Sequence, residues 1–328
     1  MKPFGMALAV GFALAASAYA EERLLLAADN QVVEINRAGQ VTDVLKHSGH
    51  GGIYDAWRLP EGGIAYAHKG GLAVFDATKR LVLDHRARAG SKGAEANSCA
   101  VLDEGARFAL MDSGISRIRT VDRGGIVISE TPLPDLADEP LHTRYRTIRA
   151  VPGESAYWVA QYRRKTVLKV EMRSGAILSA LPLELLLKPS SVAQECFAML
   201  QARDGSLFVA TSAGGQLLHV DARGKTLSCW TVRELGLSCR YLLGMQELSN
   251  GHVLIACGDF HLKSADEGRD LLAEINAAGK VVWRLTRDQL VDQIEGVVDP
   301  RSGLEEMRVT NVHAYDGARV RECLNVRR

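Results

Sequence analysis

The chain lacks the motifs that usually announce a chemistry. Its 328 residues contain no G-x-S-x-G elbow to seat a nucleophilic serine, and neither G-x-G-x-x-G nor a P-loop lysine to hold phosphates. No C-x-x-C occurs, which removes the zinc-ribbon and thioredoxin-like readings of its six cysteines. An excess of charge of one sign is also missing: 40 Lys and Arg face 39 Asp and Glu. Lys2 lies in a segment expected to be removed, leaving 39 basic against 39 acidic residues. Such a balance does not provide the basic footprint that nucleic acid or an anionic membrane demands of a main partner. After the first twenty residues no apolar run reaches membrane-spanning length, and the stretch Leu181 to Leu187 is broken by Glu184. Proline is scarce, at 9, whereas glycine, at 31, is plentiful, and 47% of the residues are hydrophobic. That composition excludes a disordered, collagenous or coiled-coil chain and predicts a globular one rich in turns.

The N-terminus reads MKPFGMALAVGFALAASAYA, with one basic residue, an apolar run from Phe4 to Ala16 and a small-residue site, Ala18-Tyr19-Ala20. This is the pattern of a secretory signal, residues 1–20, cut before Glu21. The apolar run is too short to span ~30 Å of hydrocarbon, and no cysteine follows the cleavage site to carry a lipid. The expected product is a periplasmic or secreted chain of residues 21–328, forming one domain. In an oxidising compartment its cysteines (Cys99, Cys196, Cys229, Cys239, Cys257 and Cys323) allow fifteen pairings. Buried free thiols are an equally good reading, because a chain this long needs no staples.

One pattern recurs six times: alternating apolar residues, a side chain suited to cap a turn, two or three turn residues, then alternating apolar residues again. The turn openers are Asn36, Asp76, Asp122, Glu171, Asp221 and Asn276, at spacings of 40, 46, 49, 50 and 55. Each copy reads as a β-hairpin whose Asx-type side chain bonds its own backbone, with glycine usually taking the φ > 0 position. A second hairpin precedes the first in each full period, turning at Glu61-Gly62, Glu104-Gly105, Pro152-Gly153, Asp204-Gly205, Asn250-Gly251 and Asp316-Gly317. Four short strands per period of 40–50 residues predict an all-β propeller. The first period, from Arg23, holds only three strands, and an unpaired strand remains at Val309 to Ala314. Joined, they complete a ring closed by the N- and C-terminal strands, giving six four-stranded blades. Seven blades is the alternative, should Ala318 to Val326 form a further strand.

The unit LSNGHVLIA…LLAEINAAGKVVWRL resembles the repeats of bacterial secreted propellers of the pyrroloquinoline-quinone-like and arylsulfotransferase-like type. The resemblance covers nearly the whole mature chain and implies the propeller fold. It implies no activity, since the repeated residues are turn and core residues. A quinone-dependent dehydrogenase would need a larger framework and adjacent cysteines, which this chain lacks. By analogy with sulfotransferases, His313 would work with Arg144 and Arg240. By analogy with gluconolactonase-like propellers, Asp55, Asn97, Glu195 and Asn311 would ring a divalent cation.

In a propeller the innermost strands line a central channel. Counting back from each glycine turn places Tyr54 and Asp55, Asn97 and Ser98, Arg144 and Arg146, Glu195 and Cys196, Arg240 and Tyr241, and Asn311 and His313 near the channel mouth. So many convergent charged and amide groups suit a small polar ligand. The competing reading is that these groups pair off as Asp55–Arg and Glu195–Arg bridges that merely fill the channel, with Glu195 between Arg144 and Arg240. His47-x-x-His50 with Asp55 offers a looser metal set in a glycine-rich loop. His142, His261 and His313 could join a site only through the fold, and the four tryptophans, Trp57, Trp158, Trp230 and Trp283, fit inter-blade packing. The expectation is therefore a monomeric binding module for a small polar molecule or a partner protein, with no resident cofactor. A metal-dependent lactonase or esterase is the alternative.

Overall fold

The computed structural model describes residues 22–46, 52–192, 194–258, 269–290, 293–294, 297–298, 305–306 and 309–315. The described strands form six four-stranded antiparallel sheets arranged as the blades of a propeller. Blade 1 is composite. Its inner strand, Val309–Tyr315, pairs antiparallel with Arg23–Ala28, which continues into Gln31–Asn36 and Val41–Lys46. The inner strands of blades 2 to 6 are Ile53–Arg58, Ala96–Leu102, Tyr145–Ala150, Cys196–Gln201 and Tyr241–Glu247. A two-stranded ribbon, Val297–Val298 with Glu305–Glu306, lies in the connection from blade 6 to the closing strand. No seventh blade forms among the described residues; Ala318 to Val326, like the signal segment and Cys323, lies outside them.

The second strands of the blades, such as Arg23–Ala28 and Val253–Gly258, are largely apolar because both their faces are covered. In Arg23–Ala28, Leu24, Leu26 and Ala28 enter a core shared with blade 6, whereas Leu25 and Ala27 enter one shared with blade 2. Six such cores, one per junction, hold the ring together. Side chains alternate across a strand, so one strand feeds two cores. The tryptophans serve the junctions: Trp57 Nε1 donates to the Cys99 carbonyl at 3.0 Å, and Trp158 Nε1 to Gln201 Oε1 at 2.8 Å. The described cysteines are free thiols, four of them buried, with Cys229 half-buried.

The turns are built as their chemistry requires. Asp221 Oδ1 accepts from the backbone N–H groups of Arg223 and Lys225, both at 2.9 Å, and Gly224 takes φ +81°. Asn36, Asp76 and Asn276 repeat this two-bond cap. The blade 2 turn has no glycine, and Lys79 supplies the positive φ, at 62°. Arg287–Gln289, which follows the last strand of blade 6, is a 3₁₀ turn. A second 3₁₀ turn, Leu141–Thr143, leads into blade 4 and positions His142.

Candidate functional site

All six inner strands slip register near their start. The irregularities fall between Ile53 and Asp55, Ala96 and Cys99, Tyr145 and Ile148, Cys196 and Ala198, and Leu242 and Met245, and opposite Ala27/Ala28 in the closing strand. A bulge leaves a residue unpaired, bends the strand and re-aims its side chain. The bulge residues, together with Asp55, Arg149 and Asn311, form the waist of the channel. Its recess, about 10 Å³ in volume, is lined in part by Tyr54, Asn97, Arg146, Phe197, Gly244 and Thr310.

Asp55 is the hub of this waist. Its Oδ2 accepts from Ser98 Oγ at 2.5 Å, Arg149 Nη1 at 2.8 Å and the Cys99 amide at 3.3 Å. Its Oδ1 accepts from Asn311 Nδ2 and, at 3.4 Å, from Arg149 Nη2. Four blades thus meet at one carboxylate. Asn97 pins blade 3 to blade 4 through Nδ2, which donates to the Tyr145 carbonyl at 2.8 Å and to Ser113 Oγ at 3.1 Å. A side chain on Gly244 would run into the Asn311 amide, so this position has no room for a Cβ.

Below the waist, towards the ends of the inner strands, the channel widens to a cavity of about 100 Å³ reached by all six blades. Its walls are chiefly Trp57, Val101, Leu200, Met245 and Val312, with His313 and the stem of Arg149. Most of its polar groups are committed elsewhere. Gln246 exchanges two hydrogen bonds with the backbone of Ala314, and Gln201 Oε1 accepts from Trp158. Arg149 lies 4.9 Å from the Trp57 ring centre and is turned to Asp55. His313 differs. Its Nδ1 accepts the Arg58 amide N–H at 3.1 Å, which places the ring proton on Nε2, and Nε2 is buried without a partner. Burial, and secondarily the Arg149 charge, push this imidazole down to about 3. It is therefore a neutral donor at ordinary pH.

The candidate residues separate. Asp55, Asn97 and Asn311 do converge on the waist, and His313 stands beyond it in the wider half. Arg144 is buried but spent on the carbonyls of Ser113, Ala137 and Glu139. Glu195 accepts from Ser212 Oγ at 2.9 Å, and no described ion pair joins it to Arg144 or Arg240. Arg240 sits 5.8 Å from the Tyr241 ring centre. The triple ion network therefore does not form among the described residues, nor are Arg144 and Arg240 partners of His313. His47, His50 and His261 lie outside the described residues, among which no group of three or more His, Cys, Asp or Glu could hold a metal ion. Asp55 in particular has its oxygens filled by Arg149, Ser98, Cys99 and Asn311, so a guanidinium occupies the place a cation would need.

Arg149 and Glu95 escaped sequence reasoning. Arg149 starts near the far end of its strand and reaches back across the axis. At the entrance, Glu95, His142 and Arg146 form a chain: His142 Nδ1–H donates to Glu95 Oε1 at 2.6 Å, and Arg146 Nη2 donates to His142 Nε2 at 2.7 Å. Burial alone would raise the Glu95 carboxyl, but the bond from His142 and the nearby positive charge outweigh it and hold it below its usual value. A usable signal existed for the waist: consecutive polar residues, such as Asn97-Ser98, Arg146-Thr147 and Thr310-Asn311, interrupt strands otherwise apolar on both faces.

A fold of this kind and a channel site of this shape define a six-bladed β-propeller with an internal cavity. No protein-family profile matches the chain, and no curated protein matches it. Among solved structures it is similar to a protein of unknown function from Bacteroides caccae, at 18% identity and a TM-score of 0.70, over 89% of this chain and 98% of that one. It also resembles a chain in a nidogen/laminin complex, at 10% identity and a TM-score of 0.56, over 89% of this chain and 98% of that one. A third likeness is to a catalytically inactive histidine-to-alanine variant of virginiamycin B lyase from Staphylococcus aureus with quinupristin, at 11% identity and a TM-score of 0.53, covering 78% of this chain and 77% of that one. At these identities the likeness is one of fold.

Proposed function

We propose that this protein is an exported binding propeller whose channel cavity takes a small, largely apolar ring carrying one hydrogen-bond acceptor. The observation that carries this reading is His313, which lines the cavity and whose Nε2–H is buried without a partner, while the cavity's other polar groups are mostly committed. An unpaired buried donor costs roughly 1–3 kcal/mol, which a ligand acceptor recovers. The cavity is about two-thirds the size of the roughly 150 Å³ engineered cavity that binds benzene, so a ring of five or six heavy atoms suits it. Export remains the reading of residues 1–20; among the described residues no helix is long and apolar enough to cross a membrane.

Catalysis is the second reading, favoured by a channel histidine in a fold also found in a lyase whose histidine variant is inactive. His313 holds its proton on Nε2 and stays neutral, so it suits polarising a carbonyl rather than removing a proton. Calorimetry and melting of the full chain with five- and six-membered lactones, lactams and cyclic ketones test both readings. Binding that is lost in His313→Phe supports the cavity, and product formation in the same samples separates an enzyme from a binder. Failure of the whole panel to bind, or equal binding by His313→Phe, refutes the site.

A further inference from the structure

Arg146, at the opposite end of the channel, is a charge left without its usual company. It is 9% exposed, its guanidinium carbon lies 4.9 Å from the Tyr162 ring centre and 5.4 Å from that of Phe197, and its Nε has no partner. No described carboxylate lies within ion-pair distance of it; its Nη2 donates to Nε2 of His142. A buried guanidinium is costly unless an anion or strong acceptors face it. Arg144, two residues earlier, shows the satisfied alternative, with three backbone carbonyls around it.

The recess beside Arg146 carries the complementary deficit. Asn97 Oδ1 and Asn311 Oδ1 are both buried without a donor. Neither amide can be turned around to cure this. Asn97 Nδ2 is needed by the Tyr145 carbonyl, and Asn311 Nδ2 by the Asp55 carboxylate. The recess volume, about 10 Å³, admits one water-sized group. A cation there would meet Arg149 and Arg146, whereas a hydroxyl or an ammonium attached to an anion brings its own compensation.

We infer that the channel entrance is a second site, independent of the His313 cavity, for a small carboxylic acid bearing a hydroxyl or ammonium group on the adjacent carbon. The carboxylate faces the guanidinium of Arg146, whose fork donates to a planar two-oxygen group. In the recess an ammonium donates to both Asn97 Oδ1 and Asn311 Oδ1, whereas a hydroxyl, with one proton, donates to one of them. Glu95, behind His142, keeps the imidazole oriented so that Arg146 stays in place. Tyr162 and Phe197 hold the guanidinium flat beneath.

Glycolate and glycine are the probes, with acetate and ethylene glycol as controls, titrated into the full chain by calorimetry and followed by melting. The expected result is saturable binding of glycolate or glycine, at least about tenfold weaker binding of acetate for the lost donor in the recess, and none of ethylene glycol. Arg146→Met removes the binding, Arg146→Lys restores part of it, and His313→Phe leaves it unchanged. Should Arg146→Met fail to fold, Arg146→Lys and the shift of the Arg146 Nε–H resonance on adding glycolate carry the test. Absence of binding by both probes, binding unaffected at Arg146, or acetate binding as tightly as glycolate overturns the assignment. Preference between glycolate and glycine tells a hydroxy acid from an amino acid.

Discussion

Acid should destabilise this propeller through one residue in particular. His313 is held near 3 in the folded chain and returns to about 6.5 when unfolded, so below 6.5 the unfolded state binds the extra proton. Stability from this group is intact above pH 6.5 and is lost progressively as pH falls towards 3, at about 1.4 kcal/mol per pH unit. Between pH 6.5 and pH 5 the loss is about 2 kcal/mol. For a domain of this length, with roughly 2 cal/mol/K of unfolding entropy per residue, that is about 3 °C in Tm. His313→Gln abolishes the titration. It lowers Tm at pH 7, because the Arg58 amide loses its fixed acceptor, yet it flattens the decline between pH 7 and pH 5. Part of the slope survives, since burial also lowers His85 and His219. The assay is calorimetric melting of both proteins at half-unit steps from pH 7.5 to 5. Equal slopes for the two proteins would show that His313 is not buried as a neutral ring, and the cavity reading would go with it.

Other outcomes follow from the same geometry. Arg149→Met strands Asp55 among four blades and should cost about 3–5 kcal/mol in urea unfolding; adding Asp55→Leu should recover much of this, and a double variant no more stable than the single one would contradict the pairing. Gly224→Val forces a β-branched residue to φ +81° and should cost about 1–2 kcal/mol in the same assay without altering binding at either end of the channel. Deleting residues 308–328 removes the inner strand of blade 1 and exposes the edge of Arg23–Ala28. The melting transition should broaden and move down, whereas a transition as sharp and as hot as that of the full chain would show that the ring does not depend on this closure.

The blade number, the strand count and the closure by the two termini were legible in the sequence because they rest on local chemistry. An aspartate or asparagine that caps its own turn, a glycine at positive φ and an apolar strand covered on both faces each act within about ten residues. The missing strand of the first period and the unpaired Val309 to Ala314 could be matched by counting alone. The site was legible only in composition. Asp55, Asn97 and Asn311 were visible as polar residues early in inner strands, and the bulges do bring them together. Whether Glu195 would meet Arg144 and Arg240 depended on where each side chain points after its strand bends, and neighbouring carbonyls and hydroxyls claimed Arg144 and Glu195 first. Arg149 begins far along its strand, so counting from the entrance could not find it; a long side chain crossing the axis decides that contact. His313 is separated from Asp55 by that same arginine. Sequence periodicity determines which residues line a channel, while the bulges and the reach of the side chains across the axis decide which of them share a chamber.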